Sequence, residues 1–227
     1  MATTARIFLV LASLLAASIL PAGAQQPPAP LPAVSPAAYQ KMIDAAERGD
    51  PVDCEKLRFA LAVQPSFSAT AMWGSPDRAA MWQAVREHRD DDAFAIAQRV
   101  LGQYYPDMEP HMIMAAYCEK HGDMPCHDKH LRLYACLLKS LVTGHPGTMP
   151  ETAIPVISLV EERSYLRQLR VKEDHQSLVA MNGHRIDRID VIYPESNQKG
   201  AVFFLVDSLF ASYARDFKPS PPGTTRP

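Results

Sequence analysis

The stretch EPHMIMAAYCEKHGDMPCHDKHLRLYACLLKSLV, residues 109–142, decides the architecture. Apolar residues recur every three or four positions on both sides of Gly122-Asp123, the spacing of buried helix faces. Pro125 sits just inside the second segment, where its missing N–H would be unpaired anyway. The spacing predicts helices over 109–121 and 125–142 folded back on each other. Upstream, the same periodicity predicts helices over 37–48, 53–64, 76–88 and 91–104. They are separated by Gly49-Asp50-Pro51, Pro65, Gly74-Ser75-Pro76 and Pro106, with Ser75 as an N-cap and Pro76 at the first helical position.

The turns at Asp90-Asp91 and Gly122-Asp123 lie about one tetratricopeptide period apart. Each is followed by a helix with small or leucine-rich positions, Ala93 to Leu101 and His130 to Leu138. Residues 37–143 therefore resemble a tetratricopeptide-like stack of helical hairpins, with a plain helical bundle as the alternative.

After Gly144-His145-Pro146-Gly147 the pattern changes. Ile154–Val160 is β-branched and reads as a strand, and Glu161–Val171 has helical spacing. Ser177–Met181 and His184–Tyr193 flank Asn182-Gly183, a two-residue hairpin turn in which both residues take positive φ. The spacing of Ile186, Ile189 and Val191 points to a bulge near Arg188. Ala201–Asp207 supplies a further strand. The expected class is α+β: antiparallel helical hairpins, then a small, mostly antiparallel sheet with one packed helix. Residues 144–215 would pack on the helices as one integrated unit.

The chain has 227 residues, formal net charge −2 and 47% apolar residues, which excludes a disordered polymer and a generic polyanion binder. Arg6, the apolar run Ile7–Leu20 and Pro21-Ala22-Gly23-Ala24 predict a signal peptide over 1–24, cleaved near Ala24. The Pro/Ala-rich linker 25–36 and the tail 216–227 have little to bury. No later segment is long and apolar enough to span a bilayer. The expected location is secreted or periplasmic, with no transmembrane segment in the mature chain.

The densest reactive patch is His111, Cys118, His121, Cys126, His127 and His130. Cys118 and Cys126 are equidistant from the Gly122 turn and face each other in a hairpin. An oxidising compartment favours a disulfide there. Two thiolates with His130 and either His121 or His111 would instead hold zinc or copper; unlinked cysteines are the third reading. If Cys118 pairs with Cys126, Cys136 has only Cys54 as an internal partner, stapling the first hairpin to the third. Taken alone, His111 and His130 read as polar core members. Glu161-Glu162 either complements a helix dipole or furnishes a general acid or base, and Asp187 and Asp190 read as turn or surface groups. No phosphate loop or nucleophile elbow is present.

Several patches recur in one order: Asp53–Phe59 with Glu55, Leu57 and Arg58; His111; Gly122-Asp123; His130; Thr148–Ala153; Val156-Ile157 with Glu161 and Glu162; Gln176-Ser177-Leu178; Gly183; Asp190-Val191-Ile192; and Phe203-Phe204. The set, over roughly 37–210, resembles exported bacterial proteins of the domain of unknown function 4919 family. The resemblance implies fold and export and supplies no catalytic residue. With no assembled catalytic motif, the expectation is a non-enzymatic module that binds a protein or peptide in the cell envelope, without a cofactor and without nucleic acid. The alternative is a metal-binding protein or hydrolase-type enzyme using residues 111–130.

Overall fold

A computed structural model describes residues 31–217. The expected signal peptide, linker residues 25–30 and the tail from residue 218 lie outside the described residues. The helical layer comprises α1 (Pro36–Arg48), α2 (Cys54–Ala62), α3 (Ala69–Trp73), α4 (Pro76–Arg86), α5 (Asp90–Gln103), α6 (Met108–Lys120) and α7 (Met124–Val142). Side-chain caps start most of them, because the first N–H groups of a helix lack internal partners. Asp53 accepts from the Lys56 N–H at 3.0 Å and Asp123 from the Cys126 N–H at 3.1 Å. Ser75 caps α4 with Pro76 at its first position, as expected. Each helix from α4 to α7 packs on the next in sequence. Helix α3 shows no periodicity because five residues are too few to display one.

The C-terminal part runs β1 (Ile154–Pro155), α8 (Leu159–Gln168), β2 (Lys172–Met181), β3 (His184–Tyr193), β4 (Gln198–Leu205) and α9 (Asp207–Asp216). The sheet order is β1-β4-β3-β2, parallel between β1 and β4 and antiparallel elsewhere. The class is α+β, and the hairpin turn has Asn182 at φ 51° and Gly183 at φ 81°. Gly147, at φ 68°, lies so close to Ile154 that an added Cβ would sit 2.7 Å from its Cδ1. Only glycine fits that crossing.

Three expectations need correction. The strand over 154–160 shrinks to two residues, since Pro155 lacks an N–H and the chain enters α8 at Leu159. The register shift lies between Glu173 and His175, and Arg188 pairs regularly with Ser177 and Phe203. The irregular spacing around Arg188 arises because Asp187 occupies an inward slot in line with Ile189 and Val191. Helix α9, where only an end to the sheet was expected, buries Leu209 and Ser212. The Ser212 hydroxyl accepts from the Ala69 N–H at 2.9 Å, tying α9 to α3.

One hydrophobic cluster joins helical residues such as Leu61, Met81, Val100 and Leu137 to Ile154, Val160, Ile189, Phe204 and Leu209. Helices and sheet share this core. Disulfides Cys54–Cys136, joining α2 to α7, and Cys118–Cys126, across the α6–α7 turn, add covalent links.

Candidate functional site

The expected six-residue patch splits into a cysteine pair, a histidine pair and two separate histidines. Cys118 and Cys126 are bonded to each other, and the cluster of potential metal ligands around them adds Asp123 but, among the described residues, no histidine. His121 is exposed; its Nδ1–H donates to the Tyr117 carbonyl at 2.8 Å and its ring stacks on Tyr117. His127 Nδ1 meets Asp128 at 2.9 Å.

His111 and His130 form a buried pair, with Nδ1 to Nδ1 2.9 Å apart. His111 Nε2 lies 3.0 Å from the Tyr105 carbonyl, which can only accept. In the neutral pair, His111 therefore carries its proton on Nε2, and His130 donates from Nδ1. Burial lowers His111 to about 3, helped by the charge of His130, and lowers His130 to about 4. Glu47 accepts from the Tyr105 hydroxyl at 2.7 Å and from Lys129 at 2.8 Å beside this pair. The zinc or copper arrangement of His111 or His121, Cys118, Cys126 and His130 is not assembled.

The family-pattern residues mostly hold the structure together. Leu57 and Arg58 are completely buried, while Glu55 is exposed. Arg58 forms a fork with Glu161, Nε to Oε1 at 2.6 Å and Nη2 to Oε2 at 2.8 Å. It also donates to the Pro155 carbonyl at 2.7 Å and to Ser140 at 3.3 Å, while the Ile157 N–H donates to Glu161 at 2.8 Å. Glu161 and Glu162 lie in the first turn of α8, where the dipole reading places them, and both are buried. Among the described residues Glu162 has no hydrogen-bond partner at either oxygen, and burial, with Asp187 nearby, raises it to about 8. Asp187, expected at the surface, is buried and accepts from Gln176. Gly183 serves the turn, and Asp190 accepts from Arg188 at 2.8 Å.

A different surface brings tryptophan and arginine side chains together. A cleft of about 590 Å³ opens between the α3–α4 segment and α8 with the start of β2. It is lined by Trp73, Trp82, Arg78, Arg163, Arg167 and Glu173 among others. The positions follow from the fold: Trp73 ends α3, Arg78 and Trp82 sit one turn apart on α4, and Arg163 and Arg167 sit one turn apart on α8. Arg78 binds Asp107 and Glu109, and Arg167 binds Glu109 and lies 5.0 Å from the centre of the Trp82 ring. Trp82 Nε1–H donates to Glu109 at 2.9 Å. Arg163 contacts Glu173 and donates to Gln176 at 3.0 Å. Buried Glu109 thus ties down Arg78 and Arg167, Arg163 meets the exposed Glu173 and Gln176, and Trp73 is 50% exposed.

No local motif marks this cleft in the sequence. The available signal is that both tryptophans of the chain lie ten residues or fewer apart, at positions 73 and 82, flanking Gly74-Ser75-Pro76. No family model, curated protein or solved structure matches the chain.

Proposed function

We propose that this chain is an exported, non-enzymatic module that binds an extended segment of another protein in the cell envelope. The observation that carries the reading is the tryptophan–arginine cleft at the head of an open sheet edge. Aromatic and arginine side chains dominate protein-interface hot spots because they combine large contact area with directional bonds. Val171 and Glu173 line the cleft, and β2 continues from there as the outer strand of the sheet. Lys172-Glu173-Asp174 and the register shift guard the first part of that edge. Ser177–Met181 carries no charge, and Leu178 is 57% exposed. An extended peptide anchored on Trp73 can continue along this strand by main-chain hydrogen bonds. The two disulfides suit an oxidising compartment. No described helix is long and apolar enough to cross a membrane.

Peptides selected on the immobilised protein from a random displayed library test this reading. Both tryptophans report on the cleft, so a bound peptide should shift the intrinsic fluorescence. Trp73→Ala should weaken binding at least about tenfold, and alternate N-methylation of the peptide backbone should do the same. Peptides that bind W73A and wild type equally would overturn it.

A further inference from the structure

We propose that a second pocket, between α2, α9 and the adjoining ends of β1, β3 and β4, binds a small organic carboxylate with a compact apolar body. The pocket has a volume of about 370 Å³, within the range of small-molecule sites. Its walls are apolar: Phe59 from α2 and Val63 just after it, Pro155 and Leu205 from the sheet, and Ala211 from α9. Its polar side chains are few, His184, Asp207, Ser208 and Arg215, as in pockets that orient a ligand.

His184 lines the pocket with its Nδ1 2.6 Å from Asp207 Oδ2. Asp207 Oδ1 accepts from the Arg185 N–H at 2.9 Å, so both carboxylate oxygens are occupied by donors and the imidazole is held in place. With Nδ1 engaged by Asp207, Nε2 is the ring nitrogen left to meet a ligand. Arg215 reaches the same pocket from α9, where Nη2 donates to the Ala62 carbonyl at 2.9 Å. Among the described residues no carboxylate lies within ion-pair distance of its guanidinium. Arg215 is exposed at the pocket rim, and a guanidinium there beside an apolar wall can pair with an anionic head group attached to an apolar body. The planar fork favours a carboxylate held by Arg215, with the body against Phe59 and Leu205; a neutral His184 that donates from Nδ1 to Asp207 presents Nε2 as an acceptor, suited to a hydroxyl or N–H on that body.

The site is separate from the tryptophan–arginine cleft, as the two share no lining residue. The inference therefore stands or falls independently of the peptide-binding reading.

Phenylacetate, with phenylacetamide as its neutral match, is a suitable probe pair for the full mature protein, followed by ligand-observed NMR and calorimetry. Phenylacetate should bind, and the amide about tenfold more weakly. Arg215→Gln should weaken phenylacetate by a similar factor without changing the amide. Ala211→Phe, which fills the pocket from an exposed position of α9, should abolish both while far-UV circular dichroism stays that of wild type. Trp73→Ala should change neither. The proposal is overturned if acid and amide bind equally, if R215Q binds phenylacetate as wild type does, or if folded wild type shows no binding at about 10 mM.

Discussion

Replacing Arg58 by methionine would remove the one cation that joins α2, α7, the β1 segment and α8. Glu161 is 3% exposed and would keep a single donor, the Ile157 N–H. The carbonyls of Pro155 and Ser140 would lose the Arg58 donor as well. Breaking a buried pair by removing one partner costs about 3–5 kcal/mol, because the remaining charge is buried without compensation. Stranded carbonyls add to this, while the methionine body recovers some packing, so a net loss of about 4 kcal/mol is expected. That is a large share of the roughly 5–15 kcal/mol available to a folded domain. In urea, with a slope near 2–3 kcal/mol/M, the midpoint should fall by about 1.5 M. The double variant Arg58→Met/Glu161→Met removes both charges and should recover at least about 2 kcal/mol of the loss. Oxidised protein should be used throughout, so that the disulfides stay constant. A single-variant loss below about 1 kcal/mol, or additive single effects, would refute the account of Arg58 as the polar joint.

Stability should peak near pH 6.5. Buried His111 and His130 have values below the ordinary 6.5, so below that pH the unfolded chain takes up protons that the native pair refuses. Glu162, raised from 4.5 to about 8, holds a proton in the native state that the unfolded chain releases, so its contribution fades as pH rises towards 8. The thermal midpoint should fall on both sides of that pH, with the two histidines driving the acid limb and Glu162 contributing to the alkaline limb. Glu162→Gln should flatten the alkaline limb, and a limb that persists in it would refute that assignment. Replacing Cys54 and Cys136 by alanine opens a link spanning a sequence separation of 82, whereas Cys118–Cys126 spans 8. Loop entropy gives losses of about 4.5 and 2.5 kcal/mol, so denaturant titration should rank the first pair above the second. Gly147→Ala should lose about 1–3 kcal/mol through its positive φ and the contact with Ile154, and a neutral result would contradict that crossing.

The helical layer was legible because its signals are local. Proline and glycine breaks, caps such as Ser75 and a repeated apolar spacing all act within one or two turns. The Asn182-Gly183 hairpin was legible for the same reason. Misreadings occurred where a polar residue took a buried place. Asp187 in line with Ile189 and Val191 mimicked a register shift, and Ser212 at the α3–α9 contact blurred the apolar stripe of α9. Arg58 and Glu161 stood out in the sequence only as parts of short patches, because their partnership spans 103 residues and leaves no periodic trace. The cleft was illegible for a further reason: its tryptophans and arginines come from α3, α4 and α8, and only folding brings them together.

That assembly gives the polar joints a role beyond holding the chain together. The cleft has one wall from the helical layer and one from α8 and β2, so its width depends on how firmly those parts are fastened. Arg58 and Glu161 fasten them through the interior, and Glu109 bridges Arg78 of α4 to Arg167 of α8 at the cleft itself. A buried ion network contributes less to stability than an apolar core of equal volume, but its bonds are directional. Here that direction sets the spacing of Trp82 and the arginines, and the proposed binding of a partner segment would carry a lower ordering cost for it. Swapping Arg78 or Arg167 for lysine would keep the charge yet lose the planar fork. The position of these side chains, more than their charge, is what the network would supply to the proposed recognition.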